Sequence, residues 1–269
     1  MPKSQSSEEF WRRVLTGDNP DFPLRQLRGL WRMLPEGPRC QFCNAPYHGL
    51  GAPLMKLIGK GPSRLSPHLC QQCQQAASQQ LGGAEIELSL LFADVRGSTS
   101  LAEKMPPTEF SRLISRYLGV AAKILANHYA WVDRFVGDQA IGYFVPGFAG
   151  ADHANQALAA AREILRQTGH GTPKGPWIPV GIGVHTGVAF VGAVGAEGQA
   201  TDITALGDAP NTAARLSSAA KAGEILASEA AIAHAGTDIS SLEARTLELK
   251  GKSEPFKVYV LNAETHAAQ

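Results

Sequence analysis

The spacing of hydrophobic and polar residues changes about one third of the way along the chain. In the first part, apolar residues recur every three to four positions. This spacing predicts amphipathic helices over about 8–15 and 24–34, and a polar helix is predicted over 68–81. Residues 36–66 are rich in Pro and Gly and predict a loop, and Gly82–Gly83 predicts a linker.

Beyond the glycine pair, segments with strand spacing alternate with segments with helix spacing. The order β-α-β-β-α-β is typical of a ferredoxin-like α+β sandwich. We therefore expect two domains, an N-terminal one over 1–82 and a larger one over 83–269. The predicted elements of the larger domain are strands at 87–94, 130–136, 139–145, 179–191, 242–250 and 256–261, and helices at 108–128, 151–167 and 208–219, the last with Asp208 as its N-cap.

Composition places the chain among ordinary globular proteins. It has 269 residues, of which 44% are hydrophobic and 18% charged, with a formal net charge of +1. These values exclude a disordered chain and a generally cationic nucleic-acid binder. Residues 1–82 carry ten Lys and Arg against five Asp and Glu, whereas 83–269 carry fifteen against nineteen. Two regions with different roles are the simplest interpretation, and no recognition helix supports a zinc-dependent DNA-binding protein.

One apolar stretch, 178–195, raises the question of a membrane span. It contains five glycines, a proline and the polar pair His185–Thr186, and therefore suits glycine-containing strands better than a spanning helix. The N-terminal segment has no apolar core of the kind that export machinery recognises. We expect a cytoplasmic protein without a membrane span.

The cysteines predict a metal site in the N-terminal domain. Two C-x-x-C pairs separated by twenty-six residues can supply four thiolates to one tetrahedral ion. Structural zinc is the first interpretation; an iron–sulfur cluster or a redox dithiol pair are the alternatives. His48 and His68 are expected to be exposed loop histidines. The predicted ligands are Cys40, Cys43, Cys70 and Cys73.

Two aspartates in the second domain predict a site for divalent cations. Asp94 ends a strand and Asp138 lies in a predicted hairpin turn, so one sheet edge can bring both carboxylates together. The two carboxylates would repel each other, and a divalent cation bound between them would relieve this repulsion. The segment Arg96–Thr99 supplies backbone N–H groups and hydroxyls suited to phosphate, from Gly97, Ser98 and Thr99. By spacing alone, Asp138 could equally be an ordinary turn residue and Asp94 an ordinary helix cap.

Taken together, five motifs resemble class III adenylate/guanylate cyclases over about 85–261. Their order and spacing match that family, which implies the ferredoxin-like cyclase fold and a small N-terminal module that looks like an accessory module of some bacterial cyclases. The regulatory signal is unknown. The motifs are FADVRGST at 92–99, DRFVGD at 133–138, GVHTG at 183–187, TALGDAPNTAARL at 204–216 and LKGK at 249–252.

The resemblance implies a catalytic centre built at a homodimer interface. Two Mg²⁺ or Mn²⁺ ions would bind Asp94 and Asp138 beside the Val95 backbone. Asn211 near the ribose and Arg215 on the α-phosphate would stabilise the transition state. By spacing alone, this Asn/Arg pair four residues apart is typical of a helix surface.

The remaining implied residues bind the nucleotide. Lys250 would bind the triphosphate, although by itself it is typical of an exposed strand lysine. Arg134 and Thr204 would read the purine, and Arg134 stands where the family usually has Lys. The implied activity is conversion of ATP to 3′,5′-cyclic AMP and pyrophosphate. The alternatives are a guanylate cyclase or a non-catalytic nucleotide-binding regulator on the same fold.

Overall fold

A computed structural model describes residues 6–19, 24–32, 38–49, 52–133, 135–195, 201–252 and 254–264. The chain forms two compact units. The first unit comprises Met1–Ile86, Val145–Gly150 and Val188–Leu206. The second comprises Glu87–Phe144, Ala151–Gly187 and Gly207–Gln269. The predicted boundary at residues 82 and 83 stays a prediction.

The secondary structure follows the alternation predicted beyond the glycine pair. The helices are α1 Ser7–Thr16, α2 Leu24–Arg32, α3 Ala52–Leu57, α4 Gln71–Gln79, α5 Ser98–Glu103, α6 Pro107–Asn127, α7 Pro146–Ala149, α8 His153–Gln167, α9 Asp208–Ala219 and α10 Glu229–Ala235. The strands are β1 Gly82–Val95, β2 Trp131–Val132, β3 Gln139–Phe144, β4 Val180–Gly195, β5 Thr201–Leu206, β6 Ile225–Ser228, β7 Glu243–Leu247 and β8 Phe256–Leu261.

In the first unit, aromatic side chains pack around residues 40–43, here called the cysteine segment, which carry the first cysteine pair. The rings of Trp11 on α1 and Phe42 are 6.0 Å apart, and those of Phe42 and Phe148 are 5.4 Å apart. The Arg28 guanidinium lies over the Phe148 ring at 4.4 Å and donates to the carbonyl of Phe42. The Trp11 indole donates to the Gln80 carbonyl at 2.6 Å. These contacts tie α1 and α2 to the cysteine segment and to α7.

Two expectations for the first part of the chain are wrong. The segment predicted as loop contains the short helix α3. The predicted linker Gly82–Gly83 is the beginning of β1. A Cβ atom on Gly83 would lie 2.4 Å from the carbonyl oxygen of Val191, so this glycine permits a close backbone approach and does not serve as a hinge.

The second unit contains most of the central sheet, whose strand order is β2-β3-β1-β4-β6-β8-β7. The elements β1, α6, β2–β3, α8 and β4 follow one another in the predicted β-α-β-β-α-β order. Strands β1 and β3 are antiparallel, and β4 and β6 are parallel. The α+β class is therefore confirmed.

The hairpin before β3 is the predicted two-residue turn. Val136 and Gln139 form an antiparallel bridge, and Gly137 has a φ of 62°, which favours glycine. The strand before it, β2, is only two residues long. Asp133, which follows it, donates its backbone N–H to the Ile141 carbonyl at 3.0 Å and accepts a hydrogen bond from the Tyr143 hydroxyl at 2.8 Å.

Helix α9 spans the predicted residues but begins differently. Its N-cap is Gly207, with a φ of 125°, and Asp208 is its first residue, so the predicted Asp208 cap is wrong. The Asp208 carboxylate instead pairs with Lys252, which lowers the pKa of Asp208. The helix packs closely on β4, where a Cβ atom on Gly183 would lie 2.2 Å from the Ser217 nitrogen.

The stretch considered as a membrane span forms strand β4. Among the described residues, no helix combines the length and hydrophobicity that crossing a membrane requires. The cytoplasmic location stays a prediction.

Candidate active site and cysteine cluster

The two predicted metal aspartates lie at one edge of the sheet. Asp94 near the end of β1 pairs in register with Gln139, the residue that follows Asp138 in the hairpin turn. Burial raises the pKa of Asp94; the neighbouring Arg96 opposes this shift, and the negative charge of Asp138 adds to it. The structure therefore places the two carboxylates within electrostatic range of each other.

At this edge of the sheet, Asp138 is the residue whose environment most clearly favours a bound cation. Its Oδ2 atom is buried and has no hydrogen-bond partner among the residues that the structure describes. A buried anionic oxygen without a donor is costly, and oxygen ligands are what Mg²⁺ and Mn²⁺ prefer. The two aspartates therefore fit a site for divalent cations.

Arg96 is a component of this edge that sequence reasoning missed. Its guanidinium forms an ion pair with the Asp94 carboxylate and donates to the Ser218 carbonyl at 3.0 Å. Its backbone N–H donates to the Pro179 carbonyl at 2.8 Å. The sequence did place this arginine two residues after a predicted metal ligand. Arg96 was, however, interpreted only as part of a phosphate-binding loop.

The predicted phosphate loop begins a helix. Gly97 has a φ of 67° and is the N-cap of α5, and Ser98 and Thr99 form its first turn. Val95 before it is buried in the sheet. The predicted roles of these four residues toward metal and phosphate stay predictions.

Asn211, Arg215 and Lys250 are predicted to act on the nucleotide, and the structure brings two of them close. The guanidinium of Arg215 lies against the turn of the LKGK motif, since a Cβ atom on Gly251 would be 3.1 Å from its Nη2. Lys250 in that turn is exposed and has no ion pair among the described residues. Asn211 is exposed on the same helix as Arg215. A cationic surface patch at this turn results.

Of the two residues predicted to read the purine, the structure describes only Thr204. Arg134 lies outside the described residues. Thr204 lies on β5 in the first unit, where it pairs in register with Gly192. Their role stays a prediction.

A buried tyrosine near the aspartates was also missed. Sequence spacing assigns Tyr117 only to the apolar face of α6. Burial raises the pKa of Tyr117, and the negative charges of Asp94 and Asp138 add to the shift. Its hydroxyl is buried and has no hydrogen-bond partner within the described part of the chain. The hydroxyl is therefore protonated at neutral pH and within the field of the two carboxylates.

The four cysteines form a buried cluster in the first unit. Their sulfur atoms all lie within 4.8 Å of one another, and Cys43 and Cys70 are 3.7 Å apart. Two thiolates on a tetrahedral zinc with bonds of about 2.3 Å would be about 3.8 Å apart, so the spacing fits one ion. The same distance is far longer than a disulfide bond. A multi-iron cluster distributes its four thiolates over two or four irons, so at least some of the sulfur atoms would be further apart than on a single ion.

Local backbone structure holds the two C-x-x-C pairs. Cys70 is the N-cap of α4, and its N–H donates to the Cys40 sulfur at 3.2 Å. Asn44 in the first pair's turn adopts a left-handed conformation with a φ of 62°. The nearby His68 was expected to be an exposed loop histidine. It instead pairs with the Asp202 carboxylate, which lies 3.2 Å from its Nε2. His48 is exposed, as predicted.

Comparison with known proteins identifies the family. The sequence model of the adenylate and guanylate cyclase catalytic domain matches residues 84–263. The chain belongs to this family. An adenylate cyclase of Anabaena cylindrica is 30% identical over 187 residues, which are 65% of this chain and 37% of that protein. The chain thus matches little more than a third of the length of this curated relative.

Solved cyclase structures share the fold. The guanylyl cyclase Cya2 is 29% identical with a TM-score of 0.59, covering 67% of this chain and 93% of that one. The adenylyl cyclase CyaB of P. aeruginosa is 28% identical with a TM-score of 0.57, covering 69% and 98%. The predicted class III cyclase fold is therefore confirmed, and adenylate and guanylate cyclases both occur among the similar proteins.

Proposed function

We propose that this chain is an adenylate cyclase that converts ATP to 3′,5′-cyclic AMP and pyrophosphate. The observation that carries the proposal is the buried, donor-free oxygen of Asp138 beside the half-buried Asp94. Such a pair stabilises bound cations and, without them, destabilises the fold. Family membership supplies the substrate class, a nucleoside triphosphate.

Asp94 and Asp138, beside the Val95 backbone, would hold Mg²⁺ or Mn²⁺. The ions would supply the charge that lowers the pKa of the ribose 3′-hydroxyl and neutralises the triphosphate. The deprotonated 3′-oxygen bonds to the α-phosphorus, the bond from that phosphorus to pyrophosphate breaks, and the proton passes to solvent. Gly97, Ser98 and Thr99 contact the phosphates.

The cationic residues stabilise the charge that develops during this step. Arg215 donates to the α-phosphate, Lys250 holds the triphosphate, and Asn211 orients the ribose. The proximity of Arg215 to the LKGK turn supports this division of roles, because its guanidinium lies against the turn that carries Lys250. We propose that these residues complete the site from a second copy of the chain, which gives a homodimer with two composite sites.

Base choice follows from hydrogen-bond chemistry. Arg134 only donates, which suits the adenine N1 acceptor and does not suit the guanine N1–H. Thr204 can accept from the adenine amino group. One good purine contact is worth about 1–3 kcal/mol, so we expect ATP to be preferred over GTP by about ten-fold or more. A guanylate cyclase is the second candidate, since the similar solved proteins include one.

The cysteine cluster is proposed to hold one structural zinc ion. The sulfur spacing supports a single ion over an iron–sulfur cluster, and the N-cap geometry of Cys70 supports a structural role. The first unit would then be a regulatory or dimer-positioning module.

The test uses the purified full chain with Mn²⁺ and either ATP or GTP, with the products separated by chromatography. Cyclic AMP is expected from the wild type and from the exposed control variant Asp238→Asn, and none from Asp94→Asn or Arg215→Ala. Mixing the two inactive variants should restore partial activity. Nucleotide binding without product from the wild type would favour the non-catalytic regulator, and a GTP preference would favour the guanylate cyclase.

A further inference from the structure

A second group of metal-ligating side chains lies in the second unit, on residues that the proposed cyclase chemistry does not use. Glu87 on β1, His153 at the start of α8 and His234 in the last turn of α10 each offer one ligand atom, and these atoms lie within 4.8 Å of one another. We propose that Glu87, His153 and His234 form a binding site for a divalent transition-metal ion, with Zn²⁺ as the ion that fits best.

The spacing of two of the ligands already matches a tetrahedral ion. His234 Nε2 and Glu87 Oε2 are 3.4 Å apart. Two ligands at about 2.0–2.1 Å from zinc with a tetrahedral angle between them are about 3.4 Å apart. Both side chains are partly exposed, at 41% and 48%, so they can rotate to close the remaining distance to His153.

The third ligand is held in place by buried hydrogen bonds. His153 is 5% exposed, and its Nδ1 lies 2.9 Å from the Ser89 hydroxyl, which lies 2.6 Å from the Thr186 hydroxyl. These bonds fix the orientation of the imidazole ring and leave Nε2 for the ion. A ligating histidine whose other nitrogen is held in this way is the usual arrangement in protein metal sites.

The donor set selects the ion. Two imidazoles and one carboxylate favour Zn²⁺, Cu²⁺ or Ni²⁺, whereas Mg²⁺ and Ca²⁺ prefer oxygen ligands only. Three protein ligands leave one position open for water or a small anion. The alternative to a metal site is an ordinary surface ion pair of His234 with Glu87. Such a pair does not involve the buried, oriented imidazole of His153, so experiments on the surroundings of His153 distinguish the two.

An ion at this site would connect three elements of the second unit. Strand β1 carries Glu87 at its middle and Asp94 near its end, and α8 and α10 supply the histidines. We therefore expect Zn²⁺ to raise the thermal stability of the chain, by the mass action of a ligand that binds only the folded state. The proposal is independent of the cyclase reaction.

The test is a zinc titration of the full chain by calorimetry, after the cysteine cluster has been filled and excess zinc removed. The titration buffer contains excess Mg²⁺, so that the proposed carboxylate site of Asp94 is filled and does not take up zinc. Mg²⁺ competes poorly for imidazole ligands. The wild type is expected to bind one further zinc. His234→Ala and Glu87→Gln, both at exposed positions, should weaken this binding by about 100-fold or more, and Ser89→Ala by about 10-fold.

A matched control is available in the same unit. His128 Nε2 lies 2.7 Å from the Glu163 carboxylate, a histidine–glutamate pair for which the described residues offer no third ligand. His128→Ala should leave the further zinc unchanged. The proposal is overturned if the wild type binds no further zinc, if His234→Ala binds it as tightly as the wild type, or if His128→Ala causes the same loss.

Cobalt substitution separates this site from the cysteine cluster. Thiolate ligands give Co²⁺ intense charge-transfer absorption, whereas imidazole and carboxylate ligands do not. The expected spectrum contains the thiolate bands in both the wild type and His234→Ala, with the weaker bands of the second Co²⁺ only in the wild type. Identical spectra would contradict the proposed site.

Discussion

Asp138 places an anionic oxygen in a buried position without a hydrogen-bond donor in the described structure. Replacing it by an uncharged side chain removes both the unpaired charge and the repulsion of Asp94. We expect Asp138→Asn to be more stable than the wild type without added Mg²⁺, by about 1 kcal/mol. In a chain of this size that corresponds to a melting temperature about 2–4 °C higher.

Thermal unfolding with and without Mg²⁺ tests this expectation. The wild type should gain stability on adding Mg²⁺, and Asp138→Asn should not, because the variant lacks one metal carboxylate. A variant that is less stable than the wild type without Mg²⁺ would show that Asp138 serves the fold and not the cation.

His185 makes stability depend on pH. Burial lowers the pKa of His185 to about 4; the charge of Lys252 lowers it further and Asp208 opposes the shift. An unfolded histidine has a pKa of about 6.5, so between these values the unfolded chain binds a proton that the folded chain does not. The free energy of unfolding therefore falls as the pH falls from about 6.5 to about 4.

From pH 7 to pH 5, this effect amounts to about 2 kcal/mol. Urea unfolding at the two pH values should show the wild type losing about that much more stability than His185→Gln. The exposed His48→Gln is the control variant, and it should lose as much as the wild type. Parallel losses in His185→Gln and the wild type would mean that His185 is not the group responsible.

At the scale of elements, the contact of α9 with β4 positions the proposed catalytic residues. A Cβ atom on Gly183 would lie 2.2 Å from the Ser217 nitrogen and 2.4 Å from the Ala213 carbonyl oxygen, so the helix must move to accept it. We expect Gly183→Ala to lower the free energy of unfolding by about 1–3 kcal/mol and to reduce activity, because α9 carries Asn211 and Arg215.

Gly119 provides the matched glycine for that comparison. It lies on the exposed face of α6, and a Cβ atom there would meet nothing within 4 Å. Gly119→Ala should raise the free energy of unfolding by about 0.5–1 kcal/mol, since alanine favours the helix. Urea unfolding of both variants checks the pair, and changes of the same sign would contradict the close-contact explanation.

Periodicity predicted the long elements well. Helix α6 was expected over 108–128 and spans Pro107–Asn127, because one continuous apolar face specifies it. Helix α3 was missed because six residues are too few to show a period. Composition alone also misjudged Gly82–Gly83, since a glycine required for close backbone contact and a glycine in a linker have the same sequence signature.

The candidate site was predictable where recognisable elements place its residues. Asp94 near the end of a strand and Asp138 in a two-residue hairpin turn were expected to share one sheet edge, and Asp94 does pair in register with Gln139 beside that turn. The Arg96 contact with Ser218 and the Glu87–His153–His234 group join residues far apart in the chain. No periodicity or turn signal encodes such contacts, and only the folded structure shows them.

At the scale of the whole molecule, the first unit extends beyond the predicted N-terminal domain. It includes Val188–Leu206, and His68 near the cysteines pairs with Asp202 on β5. Helix α4, which Cys70 caps, also packs against β5. Loss of the proposed zinc ion should therefore also affect β5, which is far along the chain from the cysteines.

Amide hydrogen exchange of Cys70→Ser measures that reach. A four-thiolate zinc site contributes on the order of 10 kcal/mol to folding its module, so the variant should lose protection in the described parts of 38–81. Because these segments share one compact unit with β5, protection should also fall in 188–195 and 201–206, while 87–133 and 207–252 keep theirs. The control variant Gln79→Ala, at an exposed position of α4, should show the wild-type pattern. Loss confined to 38–81 would restrict the module to the predicted N-terminal domain, and no loss would show that the cysteines hold no structural ion.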